Sequence, residues 1–401
     1  MVVSITLVDR RFDRGTRVLW KYESIAVSNR NEGLSIDRLL RLIAVRPALM
    51  AALSVLGASR LAAQICRPDS SLESRSVARP ANYIFFRRDH QRVAEPSFLD
   101  NENLVGAQLT FTWRQLEPER DRYHFDELRI QLAFLRQHGK RLVVQLQDDS
   151  FSDSIFVPEY LVRDTAFHGG AAREYDPDDK SRATFGGWAA RRWDPAVRAR
   201  FAKLLDALGR EFDGRLEGIV LPETAIGMGV DSLRPKDFTF DGYAKGIQEI
   251  TTAMRRAFPH SCVIVYGNFM PGEWLPGDDK GYLRAVYAHA ESVGAGVGGP
   301  DLLPHARAQR NHSYPLIAAR RPGIVAGIAV QDGNLTARNP QSGSQVTVQE
   351  LYRFAKDELR LDFIFWGTEE PYYSRDVLPF LRALPRNRSV RSTRAPSQPG
   401  N

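Results

Sequence analysis

Eight short apolar segments, separated by amphipathic stretches, limit what this chain can fold into more than any other feature. They run over residues 83–86, 104–112, 141–147, 216–221, 262–267, 293–298, 324–330 and 362–366. Each is nearly continuous in apolar residues, the pattern of a strand buried on both faces. The stretches between them repeat apolar residues three and four apart. Leu128, Leu132 and Leu135 form one such row, and Val197, Phe201, Leu204, Leu205 and Leu208 a second. Tyr243, Ile247, Ile250, Met254 and Phe258 form a third, and Leu351, Phe354 and Leu359 a fourth. That spacing gives a helix one apolar face. Buried strands alternating with such helices predict a parallel sheet covered on its outside. Eight of them predict closure into a (β/α)8 TIM barrel of the α/β class, over residues 80–384. No glycine-rich phosphate fingerprint follows any of the strands, which argues against a dinucleotide-binding fold.

The 401 residues, 43% hydrophobic and 26% charged, are enough for one large barrel. The net charge of +7 is concentrated at the ends, in Arg10, Arg11, Arg14 and Arg17 and again in Arg386, Arg388, Arg391 and Arg394. Basic ends around a nearly balanced middle point to solvated tails and not to a nucleic-acid groove, so no nucleic-acid partner is predicted. In residues 38–63, Arg38, Arg41 and Arg46 flank and precede ALMAALSVLGA, an apolar run too short to span a bilayer. Leu61-Ala62-Ala63 then offers a small-residue cleavage site before Gln64. This predicts a signal peptide and a bacterial protein exported to the periplasm or beyond, with no membrane contact after processing. A buried helix is the alternative. Residues 1–37 read as an unrelated or disordered extension, and 385–401 as a disordered basic tail. Gln64-Ile65 lacks the small residue a lipobox needs before Cys66. The two cysteines cannot build a disulfide framework. Cys262 reads as a small buried hydrophobe, with a single bridge to Cys66 as the alternative. Neither cysteine sits at metal-ligand spacing with a histidine cluster, and no metal or cofactor is predicted.

Polar and aromatic residues gather where the predicted strands end, and the carboxyl ends of barrel strands are where a barrel's site lies. Glu223 follows the apolar GIVLP. Gln147, Asp148 and Asp149 end the third strand. Asn268 ends the fifth, with Trp274 close behind. Asp301 and His305 follow GVGGP, Gln331 and Asp332 follow GIAV, and Glu369-Glu370 follow FIFWGT. Asp148, Asp149, Glu223, Asp301, Asp332 and Glu370 could also ring a divalent cation, although no two stand at a recognised ligand spacing. The stretch 148–193 is too long for a plain turn and rich in Asp, Arg, Gly and aromatics. It predicts a loop overhanging the site, with a disordered insertion as the alternative.

Two segments carry a resemblance. VGAQLTFTWRQLEPERDRYHFDELRIQLAFLRQHGKRLVVQLQD, residues 105–148, and FAKLLDALGREFDGRLEGIVLPET, residues 201–224, resemble strands two to four of the (β/α)8 glycosidases. That clan includes bacterial β-galactosidases, cellulases and mannanases. The resemblance implies hydrolysis of an O-glycosidic bond in a poly- or oligosaccharide by two carboxylates, with Glu223 as the general acid. The clan's acid usually follows an asparagine; here Pro222 stands before it. The clan's nucleophilic glutamate ends strand seven; here Gln331 falls at that place. The second carboxylate is therefore Asp332, Glu369 or Glu370, or it is missing, and the chain is then a carbohydrate-binding protein on a degenerate barrel. Trp366 resembles the strand-eight tryptophan that floors the clan's sugar subsite. Trp113 and Arg114 are further substrate-binding candidates. Glu117, inside the W-x-x-L-E-P-E stretch, reads as structural, with Tyr123 and Phe125 anchoring the next helix. A third reading, a barrel lyase or hydrolase for another polar substrate, would place Arg114, Arg173 and Arg191 around a cationic site.

Overall fold

The computed structural model describes residues 5–12, 18–25, 79–176, 179 and 181–385. Two compact units divide the chain, residues 1–60 and 61–401. In the first, β1 (Ile5–Phe12) and β2 (Val18–Ile25) pair antiparallel, within the stretch read from sequence as an extension. The signal-like segment 38–63, Cys66 and the tail after residue 385 lie outside the described residues.

In the second unit the apolar segments become β3 (Ala81–Arg87), β4 (Leu104–Thr112) and β5 (Arg141–Gln147). A small insertion follows: β6 (Asp149–Ser150), β7 (Ala171–Tyr175) and β8 (Phe185–Ala190). The series resumes with β9 (Gly218–Glu223), β10 (Cys262–Tyr266), β11 (Gly296–Gly299), β12 (Ala326–Val330) and β13 (Phe363–Gly367). β3, β4, β5 and β9 to β13 close in chain order into an eight-stranded barrel, every neighbouring pair parallel. The insertion makes a separate antiparallel sheet in the order β6-β8-β7. The expected (β/α)8 barrel is thus present, and the described residues of the stretch 148–193 include a sheet of their own and a short helix, Glu159–Arg163.

Strand alternation sorts the apolar residues into two layers. Tyr83, Phe85, Val143, Val220, Ile264 and Phe365 fill the barrel interior. Ile84, Leu109, Phe111, Val144, Ile219 and Ile328 face outward, against helices such as Asp126–Gln137, Pro195–Phe212 and Phe240–Ala257. The helix faces read from spacing are the buried ones. Where β11 meets β12 the strands approach so closely that a Cβ on Gly298 would lie 1.8 Å from the Gly327 carbonyl oxygen. Only glycine fits there. Cys262, in the interior layer at the start of β10, is buried and disulfide-bonded.

The same alternation corrects one expectation. Phe365 faces inward, so its neighbour Trp366 faces outward and is fully buried in the layer between sheet and helices. Its indole N–H donates to Asn82 Oδ1 at 3.0 Å. Trp366 is therefore a packing residue and not the floor of a sugar site. Trp113 is likewise buried, edge-on to Phe201 at 4.9 Å, and its indole donates to Glu117 Oε2 at 2.9 Å. Glu117 is fully buried and also accepts from the Asp121 N–H at 3.0 Å, the Tyr160 hydroxyl at 3.1 Å and the Arg200 guanidinium. It is a structural acid, as the sequence suggested. Arg114 supports the same region: its Nε donates to the Val157 carbonyl at 2.9 Å. Trp113 thus packs the barrel wall, and Arg114, partly buried, ties it to the insertion.

Candidate active site

Glu223 owes its orientation to an irregularity in β9. Val220 faces inward and Leu221 outward, so strict alternation would turn Glu223 outward. Instead the pairing with β10 slips. Leu221 stands opposite Val265, and the next pair is Glu223 with the inward-facing Tyr266. Pro222 is the extra residue of this bulge, a position where its missing N–H costs no ladder bond. The proline that breaks the clan's pattern is thus what aims the acid toward the mouth of the barrel.

Glu223 is partly buried, and burial pushes its carboxyl up to about 7; the charges of Asp149 and Asp301 push the same way. An amide opposes them. Asn268, just beyond β10, donates from Nδ2 to Glu223 Oε2 at 2.5 Å. Its own carbonyl oxygen accepts from the Ala225 N–H at 3.1 Å, which fixes the orientation of the amide. The amide the sequence lacked before Glu223 is supplied by the neighbouring strand.

Four further acids surround this group. Asp148 is buried and held bidentate by the Arg192 guanidinium, at 2.5 and 3.0 Å. Arg192 also donates to the Glu223 carbonyl oxygen at 2.9 Å and to the Tyr243 hydroxyl at 3.2 Å. Asp149, at the start of the insertion, is buried with Oδ1 3.8 Å from Arg192 and without a hydrogen-bond partner. Burial raises it to about 6. Glu174, on β7, is buried and raised to about 8, by burial first and then by the charge of Asp149. Its Oε1 accepts from the Gly227 N–H at 3.0 Å, while Oε2 has no partner. The backbone brings it there. The Tyr175 N–H donates to the Gly227 carbonyl at 2.8 Å, and a Cβ on Gly227 would sit 1.9 Å from the Tyr175 carbonyl oxygen. Asp301, after β11, is partly buried and raised by burial, offset by the Asn334 amide donating to Oδ1 at 2.8 Å.

Other residues named from sequence take different places. Trp274 is 58% exposed and stacks on Phe269, ring centroids 5.6 Å apart and planes 6° apart, next to His312. Phe269 directly follows Asn268, so this aromatic platform is continuous with the acid's support. Gln147 and Gln331 are partly buried at the ends of β5 and β12. The three expected partners of Glu223 have neighbours of their own. Asp332 pairs with Arg87 at 2.7 Å, Glu369 accepts the Gly333 N–H at 2.8 Å, and Glu370 accepts the Ser374 hydroxyl at 2.6 Å. His305 pairs with Glu350 at 2.6 Å. Of the arginines weighed for a cationic site, Arg173 lies over the Phe185 ring and Arg191 pairs with Asp237. Sequence reasoning missed Glu174, Arg192 and Asn334. No local pattern marks them, because the insertion's fold alone brings the first two to the barrel.

Among the described residues, His168, Asp194 and Asp237 are the group whose ligand atoms come within metal-binding reach of one another. Their atoms are committed elsewhere. Asp194 caps the helix Pro195–Phe212, and both Asp237 oxygens take Arg191.

No family model matches this chain, and neither does any curated protein. Among solved structures it is similar to the catalytic domain of the β-amylase of Paenibacillus polymyxa. The TM-score is 0.48 at 8% identity, covering 73% of this chain and 93% of that one. It is similar to a family 39 glycoside hydrolase of Bacteroides cellulosilyticus, with TM-score 0.45 at 11% identity over 73% of this chain and 56% of that one. It is also similar to xylanase 10B of Thermotoga petrophila, with TM-score 0.42 at 13% identity over 77% and 87%. The barrel itself stands on its own strand order.

Proposed function

We propose that this chain is a glycoside hydrolase-like enzyme that cleaves O-glycosidic bonds of a poly- or oligosaccharide with two carboxyl groups, Glu223 acting as general acid. The observation that carries the reading is Glu223 itself: a carboxyl at the carboxyl end of a barrel strand, raised to about 7 by burial and gripped by one amide. A general acid must hold its proton near working pH and release it to the leaving oxygen, and a carboxyl near 7 does both.

The second carboxylate must be ionised while the first is protonated. Asp301 fits best. It is partly open, its charge acts on Glu223, and the Asn334 amide works against the burial that raises its carboxyl. It would activate water or attack the anomeric carbon. Asp332, Glu369 and Glu370 are weaker proposals, given their own partners. Trp274, exposed beside Asn268, offers its face to the C–H face of a sugar ring. Gln147 and Gln331 offer amides at the same rim. Export belongs to the same reading. A disulfide-bonded Cys262 supports it, because disulfides persist in oxidising compartments.

The test is a panel of polysaccharides incubated with the wild-type protein and with Glu223→Gln, reading released reducing ends. Release by the wild type and none by the variant is expected. Equal release by both overturns the assignment of Glu223. Binding without release by either protein makes the chain a carbohydrate-binding barrel instead.

A further inference from the structure

The mouth of the barrel holds more hydrogen-bond acceptors than donors. Asp149 Oδ1 and Glu174 Oε2 are buried without any hydrogen-bond partner. Glu223 is held through Oε2 by Asn268, and Asp301 through Oδ1 by Asn334. The guanidinium in this group, Arg192, gives its hydrogen bonds to Asp148, the Glu223 carbonyl and Tyr243, and it answers Asp149 Oδ1 only by charge, from 3.8 Å. A buried carboxylate oxygen without a donor is costly unless the group is neutralised or a ligand brings the donor. The four acids Asp149, Glu174, Glu223 and Asp301 are not spaced for a metal ion. Among the described residues, none of them belongs to a group whose ligand atoms fall within 4.8 Å of one another. A larger cation with several N–H donors can span what a bare ion cannot.

We propose that Asp149 and Glu174 form a subsite for a protonated amine, so that the carbohydrate taken by this barrel is an amino sugar carrying a free ammonium group. The inference rests on the carbohydrate reading of the mouth. An ammonium has three donors and one positive charge, and it would reach the two orphaned oxygens, both buried, once their side chains turn toward the partly open side, where Glu223 and Asp301 border solvent. Binding there displaces the proton of Glu174 to solvent and forms charge-assisted hydrogen bonds to both carboxylates. Glu223, held by the Asn268 amide, stays outside the subsite. The inserted sheet β6-β8-β7 would thus choose the substrate, and the barrel strands would act on it.

The experiment compares three tetrasaccharides that differ only at the 2-position. They are β-1,4-linked glucosamine, its fully N-acetylated form and cellotetraose, titrated calorimetrically into the full chain, into Glu174→Gln and into Asp149→Asn. The glucosamine tetramer is expected to bind at least about tenfold more tightly than either neutral one, the worth of one charge-assisted hydrogen bond. That preference should shrink to about threefold or less in each variant, with cellotetraose binding unchanged. Thermal melts check that both variants are folded; the second variant serves if the first is not. Equal or weaker binding of the glucosamine tetramer overturns the inference, as does no binding of any tetramer, or a preference that survives both substitutions. Saturable binding of calcium chloride that both variants abolish also overturns it, by giving the carboxylates to a metal. Failure here is separable from failure of the hydrolase reading. Glu223-dependent hydrolysis of neutral glycans without an amine preference sinks only the subsite. A preference without hydrolysis sinks only the enzyme.

Discussion

Glu117 and Glu223 are both enclosed carboxylates of the same barrel, and they are treated in opposite ways. Glu117 receives donors from Trp113, Asp121, Tyr160 and Arg200, so its charge is fully answered. Glu223 receives the Asn268 amide and faces the charges of Asp149 and Asp301. A saturated buried acid holds elements together, whereas an under-satisfied one keeps a proton it can give away. Burial alone does not separate structure from chemistry; the number of donors does.

The largest effect that could break this contrast is on rate. Glu223→Gln should lower hydrolysis by about 10²- to 10⁴-fold, the usual worth of a general acid, with the melting temperature unchanged or raised. A comparable loss of stability would place Glu223 with Glu117. Glu117→Gln should do the reverse. It leaves Arg200 with the exposed Asp121 as its remaining carboxylate, and should cost about 3 kcal/mol of stability in denaturant melts. Activity per folded molecule should persist.

Glu174 sharpens the comparison through pH. Its carboxyl, about 8 in the folded chain against 4.5 for the free side chain, gives stability that is complete below pH 4.5 and is lost as pH rises through about 8. At about 1.4 kcal/mol per pKa unit this amounts to a few kcal/mol. Glu174→Gln should flatten the fall in melting temperature across that window, and an unchanged slope would show that the charge is answered after all. In the same pH range hydrolysis should decline on the alkaline side of about 7, as Glu223 loses its proton. The smallest effect is expected at the rim. Trp274→Ala should raise KM about fivefold, near 1 kcal/mol of stacking, with kcat almost unchanged.

Much of this was legible in the sequence. Strands with both faces buried must be apolar throughout, so all eight showed themselves, and the helix faces followed from their spacing. Glu117 could be read as structural from its motif. Glu223 could be placed at a strand end, but Pro222 looked like a defect when it is the bulge that aims the acid. Trp366 was misplaced because its neighbours Phe365 and Gly367 leave the side it faces undecided until the strand register is known. Glu174 and Arg192 left no trace, since their meaning depends on an insertion folding back over the mouth.

Local pattern therefore determined the barrel: periodicity and burial act on neighbours in the chain. The tertiary structure alone decided which acids are answered and which are left wanting. A carboxyl's proton affinity is set by donors and charges from distant segments, here Asn268, Arg192 and Gly227, which only the closed barrel and its inserted sheet bring within reach.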